Sequence, residues 1–293
     1  MPDDQLPAPV VKAAAHGVSS PAVRSPTAAW LSRGALVASI GCVVCAVPLR
    51  SVLGGEPPAK AAPAWCAPEL EALPGDVCWF EGPGAAGKRT VVLFLHGLIK
   101  PDSTWQWGQQ RGMVRQAKRF GFSVLAPRGR RGVGPGGMTA VAWPSAGSLQ
   151  VEPALIDEWT RARHAIEARR TKPFEETFVL GYSNGAYYGS SLALRERLDV
   201  DGYALIAGGS STAELRSAAQ SAKRRVPIFV GIAMGDKTSS ADSRSFGALL
   251  GQVGWPHKIH ASSAGHEVAD RQVERALAYL RQAMQRAPKP ASP

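Results

Sequence analysis

From residue 90 onward, short apolar runs recur along the chain, and most of them end in glycine. They are TVVLFLHG (90–97), FSVLAPRG (122–129), TFVLGYSNG (177–185), DGYALIAGG (201–209), VPIFVGIAMG (226–235) and PHKIHASSAG (256–265). Most are near-continuous rather than alternating, as expected of strands covered on both faces. The segments between them carry helical spacing. In 151–170, apolar residues fall at Leu155, Ile156, Trp159, Ala162 and Ile166. The stretches 185–198, 240–254 and 267–284 also read as helices. Strands alternating with helices predict right-handed crossovers and a three-layer α/β/α sandwich with a mostly parallel sheet. In such sheets ligands bind beyond the carboxyl ends of the strands, so the residues ending each run are the candidates for chemistry.

The rhythm does not extend to the N-terminus. Residues 1–34 form an Ala/Pro-rich arm with Lys12, Arg24 and Arg33. Residues 35–49 contain an uncharged apolar stretch ending at Pro48. It is shorter than the ~18–20 residues of a spanning helix, and suits the core of a secretory signal or an anchor. Val44 to Ala46 offers a small-residue cleavage site, and SIGC ending at Cys42 resembles a lipoprotein box except at Ser39. Residues 50–64 read as a linker, 65–286 as the folded domain and 287–293 as a tail. The chain is therefore expected to be exported, as a secreted or envelope-associated protein. In that setting Cys66 and Cys78 are expected to close a small disulfide loop.

The formal net charge of +11 is uneven. Between residues 88 and 131 ten cations, from Lys88 to Arg131, face Asp102 alone. Such a stretch suits an anionic envelope surface, or it is simply a solvated face. No zinc-finger, helix-turn-helix or aromatic RNA-binding signature accompanies it, which argues against nucleic acid. No metal-ligand spacing or cofactor motif is present, so no cofactor is expected.

The clearest chemical signal is GYSNG (181–185). With 31 glycines in the chain a chance G-x-S-x-G is about a one-in-four event, so the pattern needs context. Its context is a strand before and a helix after, the setting of a nucleophile elbow. There Ser183 is pushed out of the turn and the Asn184 N–H points toward a developing oxyanion. A serine nucleophile needs a base. His266 lies between the last strand and the last helix, after the serine in the chain. The acid that orients it is Asp236, directly after the strand 226–235, or Asp242 six residues on. Asp236 is preferred. Leu98, after His96-Gly97, begins the loop that offers a second oxyanion donor.

With HG at 96–97, GYSNG at 181–185, Asp236 and GHE at 265–267 in this order, the chain resembles the α/β-hydrolase superfamily over roughly residues 75–286. It is most similar to secreted esterases related to polyhydroxybutyrate depolymerases and feruloyl esterases, sharing an SNGA elbow and a layout without a long cap. The resemblance implies a triad of Ser183, Asp236 and His266, oxyanion donors at Leu98 and Asn184, and a small-molecule or polymer ester as substrate. The spacing of the acid departs from the usual pattern.

The 128–150 segment is long for a connection, and such loops are often functional. Arg128, Arg130 and Arg131 are expected to border the cleft, or else to pair with an acid such as Glu152 or Asp157. Trp105, Trp107 and Trp143 are expected on rim loops. Of these residues, Trp105, Arg128 and Trp143 are taken as candidate substrate contacts. The leading expectation is a serine hydrolase forming an acyl-enzyme from a carboxylic ester. A peptidase or acyltransferase would use the same groups. An inactive envelope-binding protein and a polyanion binder are the competing classes.

Overall fold

The computed structural model describes residues 64–83 and 89–286. The N-terminal arm, the apolar segment, most of the linker and the tail lie outside these residues. Among the described residues no helix is long and apolar enough to cross a membrane.

The strands are β1 (Glu71–Leu73), β2 (Val77–Phe80), β3 (Thr90–Leu95), β4 (Ser123–Ala126), β5 (Arg130–Arg131), β6 (Val141–Ala142), β7 (Glu176–Tyr182), β8 (Gly202–Ile206), β9 (Ile228–Ala233) and β10 (His257–Ser262). The helices are α1 (Trp105–Phe120), α2 (Glu152–Glu167), α3 (Asn184–Leu194), α4 (Ala213–Ser221), α5 (Lys237–Gln252) and α6 (Asp270–Arg286). Eight strands form one sheet in the order β1-β2-β4-β3-β7-β8-β9-β10. The pairs β1–β2 and β2–β4 are antiparallel, and every pair from β4 to β10 is parallel. Strands β5 and β6 make a separate antiparallel ribbon. The predicted three-layer, mostly parallel sandwich is the one found.

The near-continuous apolar runs are explained by two cores, one on each face of the sheet. Val91, Leu93 and Leu95 pack with Leu155, Trp159, Leu192, Leu215 and Leu249 from α2 to α5. The intervening Val92 and Phe94 pack on the other face with Met113 and Val114 of α1 and Val273, Leu277 and Leu280 of α6. Successive side chains point to opposite faces, so a strand covered on both sides must be apolar at every position. β10 is the exception. It is an edge strand, and its polar HKIHAS sequence is mostly half-buried or exposed.

The β1–β2 hairpin, the β5–β6 ribbon, α1 and α4 lie outside the predicted set. The β1–β2 hairpin and α4 are short. α1 gives no clear apolar stripe in the sequence, because its buried positions include the polar residues Gln106, Gln110 and Gln116. Trp105 and Trp107 stand in the first turn of a helix rather than on a rim loop. The hairpin is tied by a Cys66–Cys78 disulfide with a Cα–Cα distance of 5.4 Å, the pairing expected from the sequence.

Candidate active site

Ser183 sits between β7 and α3 with φ 52° and ψ −121°, a conformation unusual for any residue but glycine. The turn is possible because its neighbours have no side chains. A Cβ on Gly185 would lie 2.0 Å from the Leu95 carbonyl oxygen, and one on Gly181 would lie 2.4 Å from the Gly185 oxygen. The tight turn lifts the serine hydroxyl above the sheet at the N-terminus of α3. Tyr182 and Asn184 beside it are buried.

Ser183, His266 and Asp236 meet although 53 residues separate the serine from the acid and 83 separate it from the histidine. Ser183 Oγ lies 2.8 Å from His266 Nε2. His266 Nδ1 lies 2.5 Å from Asp236 Oδ2. The approach of acid and base follows from the sheet. β9 and β10 are parallel neighbours, and their following loops remain hydrogen-bonded: Met234 N–H donates to Ser262 O and Gly235 N–H to Ala264 O, both at 2.9 Å.

Asp236 is also the N-cap of α5. Its carboxylate accepts from the Thr238 amide at 3.1 Å, the Ser239 amide at 3.4 Å and the Ser239 hydroxyl at 2.7 Å. The Ser239 hydroxyl contributes most to holding the Asp236 pKa below the usual carboxylate range, with further contributions from the Ser239 amide and His266. The other candidate acid, Asp242, accepts from the Tyr187 phenol at 2.5 Å. Burial first, and this carboxylate second, raise the Tyr187 pKa.

Leu98 follows β3 and is 40% exposed. A Cβ on Gly97 would come 3.2 Å from Ser183 Cβ, so the segment carrying Leu98 passes directly beside the serine. Among the described residues the amides of Leu98 and Asn184 donate to no acceptor. The loop is anchored by Gln109, which no sequence signal marks, and by His96 and Trp143 in structural roles that the sequence does not reveal. Gly97 N–H donates to Gln109 Oε1 of α1 at 2.8 Å. His96 is buried; its Nε2 accepts from the Gly129 amide at 3.0 Å, which leaves the ring proton on Nδ1 facing the Gly97 carbonyl at 2.6 Å. Burial lowers its pKa to about 4, so the ring is neutral. Trp143 Nε1–H donates to the His96 carbonyl at 2.8 Å. Apart from the contact between the neighbours His96 and Gly97, these contacts span 12 to 47 residues, and no local pattern signals them.

The expected rim changes accordingly. Trp143 is fully buried, packed on Tyr188, Trp159 and His96. It belongs to the core beneath the loop and offers no surface to a ligand. The Asn184 side chain is structural too, since its Oδ1 accepts from the Trp143 amide at 2.7 Å. Trp105 is 63% exposed. It stands one helical turn before Gln109, which places it beside the Gly97 loop. Arg128 pairs with Asp76 at 2.9 Å and lies over the Trp65 ring. It lines a cavity of about 100 Å³ with Ile99, Lys100 and Arg131. Its partner is Asp76 rather than Glu152 or Asp157. Arg130 binds Glu158 and Arg131 binds Asp102. With Arg89, Arg111, Arg115 and Arg119 also paired, the expected basic face of 88–131 is largely neutralised. Among the described residues no group of three His, Cys, Asp or Glu could hold a metal ion.

No protein-family model and no curated protein sequence matches the chain. Solved structures do. A carboxylesterase from Mesorhizobium loti superposes with a TM-score of 0.52 at 18% identity, covering 73% of this chain and 99% of that one. A Bacillus cereus protein described as uncharacterized gives 0.51 at 14% identity, covering 68% of this chain and 61% of that one. Identities this low speak to fold alone. Together with the strand order and the turn at Ser183, they show that the chain has the α/β-hydrolase fold.

Proposed function

We propose that the protein is a serine hydrolase that cleaves carboxylic esters through an acyl-enzyme. The observation that carries this reading is the continuous chain from Ser183 Oγ to His266 Nε2 at 2.8 Å and from His266 Nδ1 to Asp236 at 2.5 Å. His266 takes the hydroxyl proton as Ser183 Oγ bonds to the ester carbonyl carbon. The carbonyl oxygen becomes an oxyanion, and the unengaged amides of Leu98 and Asn184 are the groups suited to receive it. Each such donor is typically worth about 3 kcal/mol in the transition state. Asp236, held ionised by Ser239, stabilises the imidazolium. When the tetrahedral intermediate collapses, His266 returns the proton to the departing alcohol. Water, deprotonated by His266, then attacks the acyl carbon and releases the acid and Ser183.

The exposed side chains of Leu98, Trp105 and Met234 suit an apolar acyl or aryl portion on the substrate. The likeness to a carboxylesterase favours an ester over an amide. The Cys66–Cys78 bridge favours an oxidising compartment, in line with export. Labelling with a fluorophosphonate, followed by a panel of p-nitrophenyl esters of increasing acyl length, tests the reading. Wild-type protein should be labelled and should turn over at least one ester, and Ser183→Ala should do neither. Equal labelling of the two proteins would refute it.

A further inference from the structure

At the β10 edge of the sheet, away from Ser183, a cavity of about 640 Å³ opens between β10 and α6 from Arg275 to Arg286. Its lining includes Lys258, His260, Arg275, Arg281 and Arg286, together with Tyr279, and no acidic residue. Arg281 is engaged by Glu176 at 2.9 Å and by Thr90. Lys258, Arg275 and Arg286 form no ion pair with another described residue. This contrasts with the 88–131 stretch, where each described arginine has an acidic partner, Arg115 and Arg119 sharing Asp270. The chain thus concentrates unneutralised positive charge at a concave site rather than along its cationic sequence stretch.

The strand geometry aims these groups into one place. Ile259 faces α5, where a Cβ on Gly247 would lie 2.6 Å from its Cδ1. Lys258 and His260, on either side of it, point to the opposite face, toward α6. His260 approaches Phe229 with ring centroids 6.3 Å apart, and its Nε2 is buried without a hydrogen-bond partner. A buried polar atom left unpaired normally has a partner to find. Burial, followed by the charges of Arg275, Arg271 and Lys258, holds the ring below the usual histidine range. Of these cations, Lys258 of β10 and Arg275 of α6 line the cavity together with the imidazole.

We propose that this cavity is an anion-binding site for a ligand carrying a multiply charged phosphate group. Guanidinium and ammonium donors from Arg275, Arg286 and Lys258 would bind the phosphate oxygens, Arg with its paired N–H groups and Lys as a point charge. The Tyr279 hydroxyl, which burial keeps protonated, supplies a further donor. A singly charged carboxylate would leave most of this charge uncompensated, whereas a diphosphate matches it. The ligand would reach the site without approaching Ser183, because α6 runs back from the strand ends that carry the proposed triad.

The experiment is titration calorimetry of the full chain with pyrophosphate at low ionic strength, alongside Lys258→Gln/Arg275→Gln. Both replaced residues are exposed, so the thermal midpoint of the double variant should match the wild type and serves as the control for folding. Saturable pyrophosphate binding is expected in the wild type, weakened about tenfold or more in the double variant and falling with added salt. Co-sedimentation with phosphatidylcholine vesicles, with and without phosphatidic acid, a phosphomonoester lipid, distinguishes a free phosphate compound from a lipid headgroup as the source. Absence of saturable pyrophosphate binding, or equal affinity in the variant, overturns the proposal. Vesicle retention without pyrophosphate binding overturns it as well, since diffuse surface attraction would then suffice. These outcomes do not depend on whether Ser183 is a nucleophile.

Discussion

The Tyr182 phenol donates to the main-chain carbonyl of His266 at 2.5 Å, so the residue preceding the serine holds the backbone of the residue that would deprotonate it. Burial, followed by the charges of Asp236 and Glu267, raises the Tyr182 pKa to about 12, so the phenol remains a donor at any working pH. The turn that presents Ser183 and the loop that presents His266 are thereby one mechanical unit. Tyr182→Phe keeps the ring, whose centroid is 5.1 Å from that of His266, and removes only the hydrogen bond. It should lower kcat by about tenfold while KM changes little, because the loss concerns alignment rather than substrate binding. Steady-state kinetics on a p-nitrophenyl ester check this, and an unchanged kcat would remove Tyr182 from the machinery.

Asp236 and Asp242 should separate cleanly. Asp236→Asn is expected to lower kcat by about four orders of magnitude, as in the general Ser-His-Asp case, because the amide favours the wrong histidine tautomer. Asp242→Asn perturbs only the bond to Tyr187 and should leave kcat close to wild type. The reverse pattern would transfer the orienting role to Asp242.

Asn184→Ala should act on stability more than on rate. Its amide N–H survives the substitution, but the Trp143 amide loses its acceptor in a buried setting. The expected cost is about 1–3 kcal/mol in denaturant unfolding. Its kcat should remain far above that of Ser183→Ala. A loss equal to that of Ser183→Ala would mean that the side chain itself takes part in the chemistry.

His96 should make the fold acid-sensitive. Its folded pKa, lowered to about 4 by burial, lies below the ordinary 6.5, so the unfolded chain binds more protons between these values. Stability therefore rises with pH across this window and is lost as the pH falls from 6.5 toward 4. The loss amounts to about 3 kcal/mol over the window. Unfolding midpoints across this interval should fall more steeply for the wild type than for His96→Asn. Parallel slopes would contradict a neutral buried imidazole.

The Cys66–Cys78 bridge closes a loop with a sequence separation of 12. Replacing both cysteines by alanine should cost about 3 kcal/mol, chiefly by freeing the unfolded chain. Ala67 N–H reaches Gln110 at 2.7 Å and the Trp65 ring packs at a tilt on His96 with centroids 5.2 Å apart, so the bridge also steadies the segment covering that histidine. A lower melting temperature with kcat retained is expected, and no change in melting temperature would show that the bridge contributes little.

The fold was legible where the physics is local. Strands β3, β7, β8 and β9 lie between two helical layers, and burial on both faces makes them read as unbroken apolar runs. α1 escaped because its buried positions include Gln106, Gln110 and Gln116, polar residues that satisfy backbone and loop groups inside the protein. Trp143 misled for a related reason. It lies in a glycine-rich, loop-like stretch, yet the chain folds back and buries it against Trp159 and Tyr188.

The sequence by itself determined the alternation of strands and helices, the Ser183 turn and the order of serine, acid and histidine. Each of these is written in spacing, in glycine placement or in apolar periodicity within a few residues. Tertiary structure alone decided which acid faces His266, because two parallel strands had to lie side by side before Asp236 and His266 could meet. It also decided where the positive charge is left unanswered. Ion pairs form between residues up to 155 apart in the chain, so charge counted along the sequence pointed to residues 88–131, while charge in space gathers between β10 and α6.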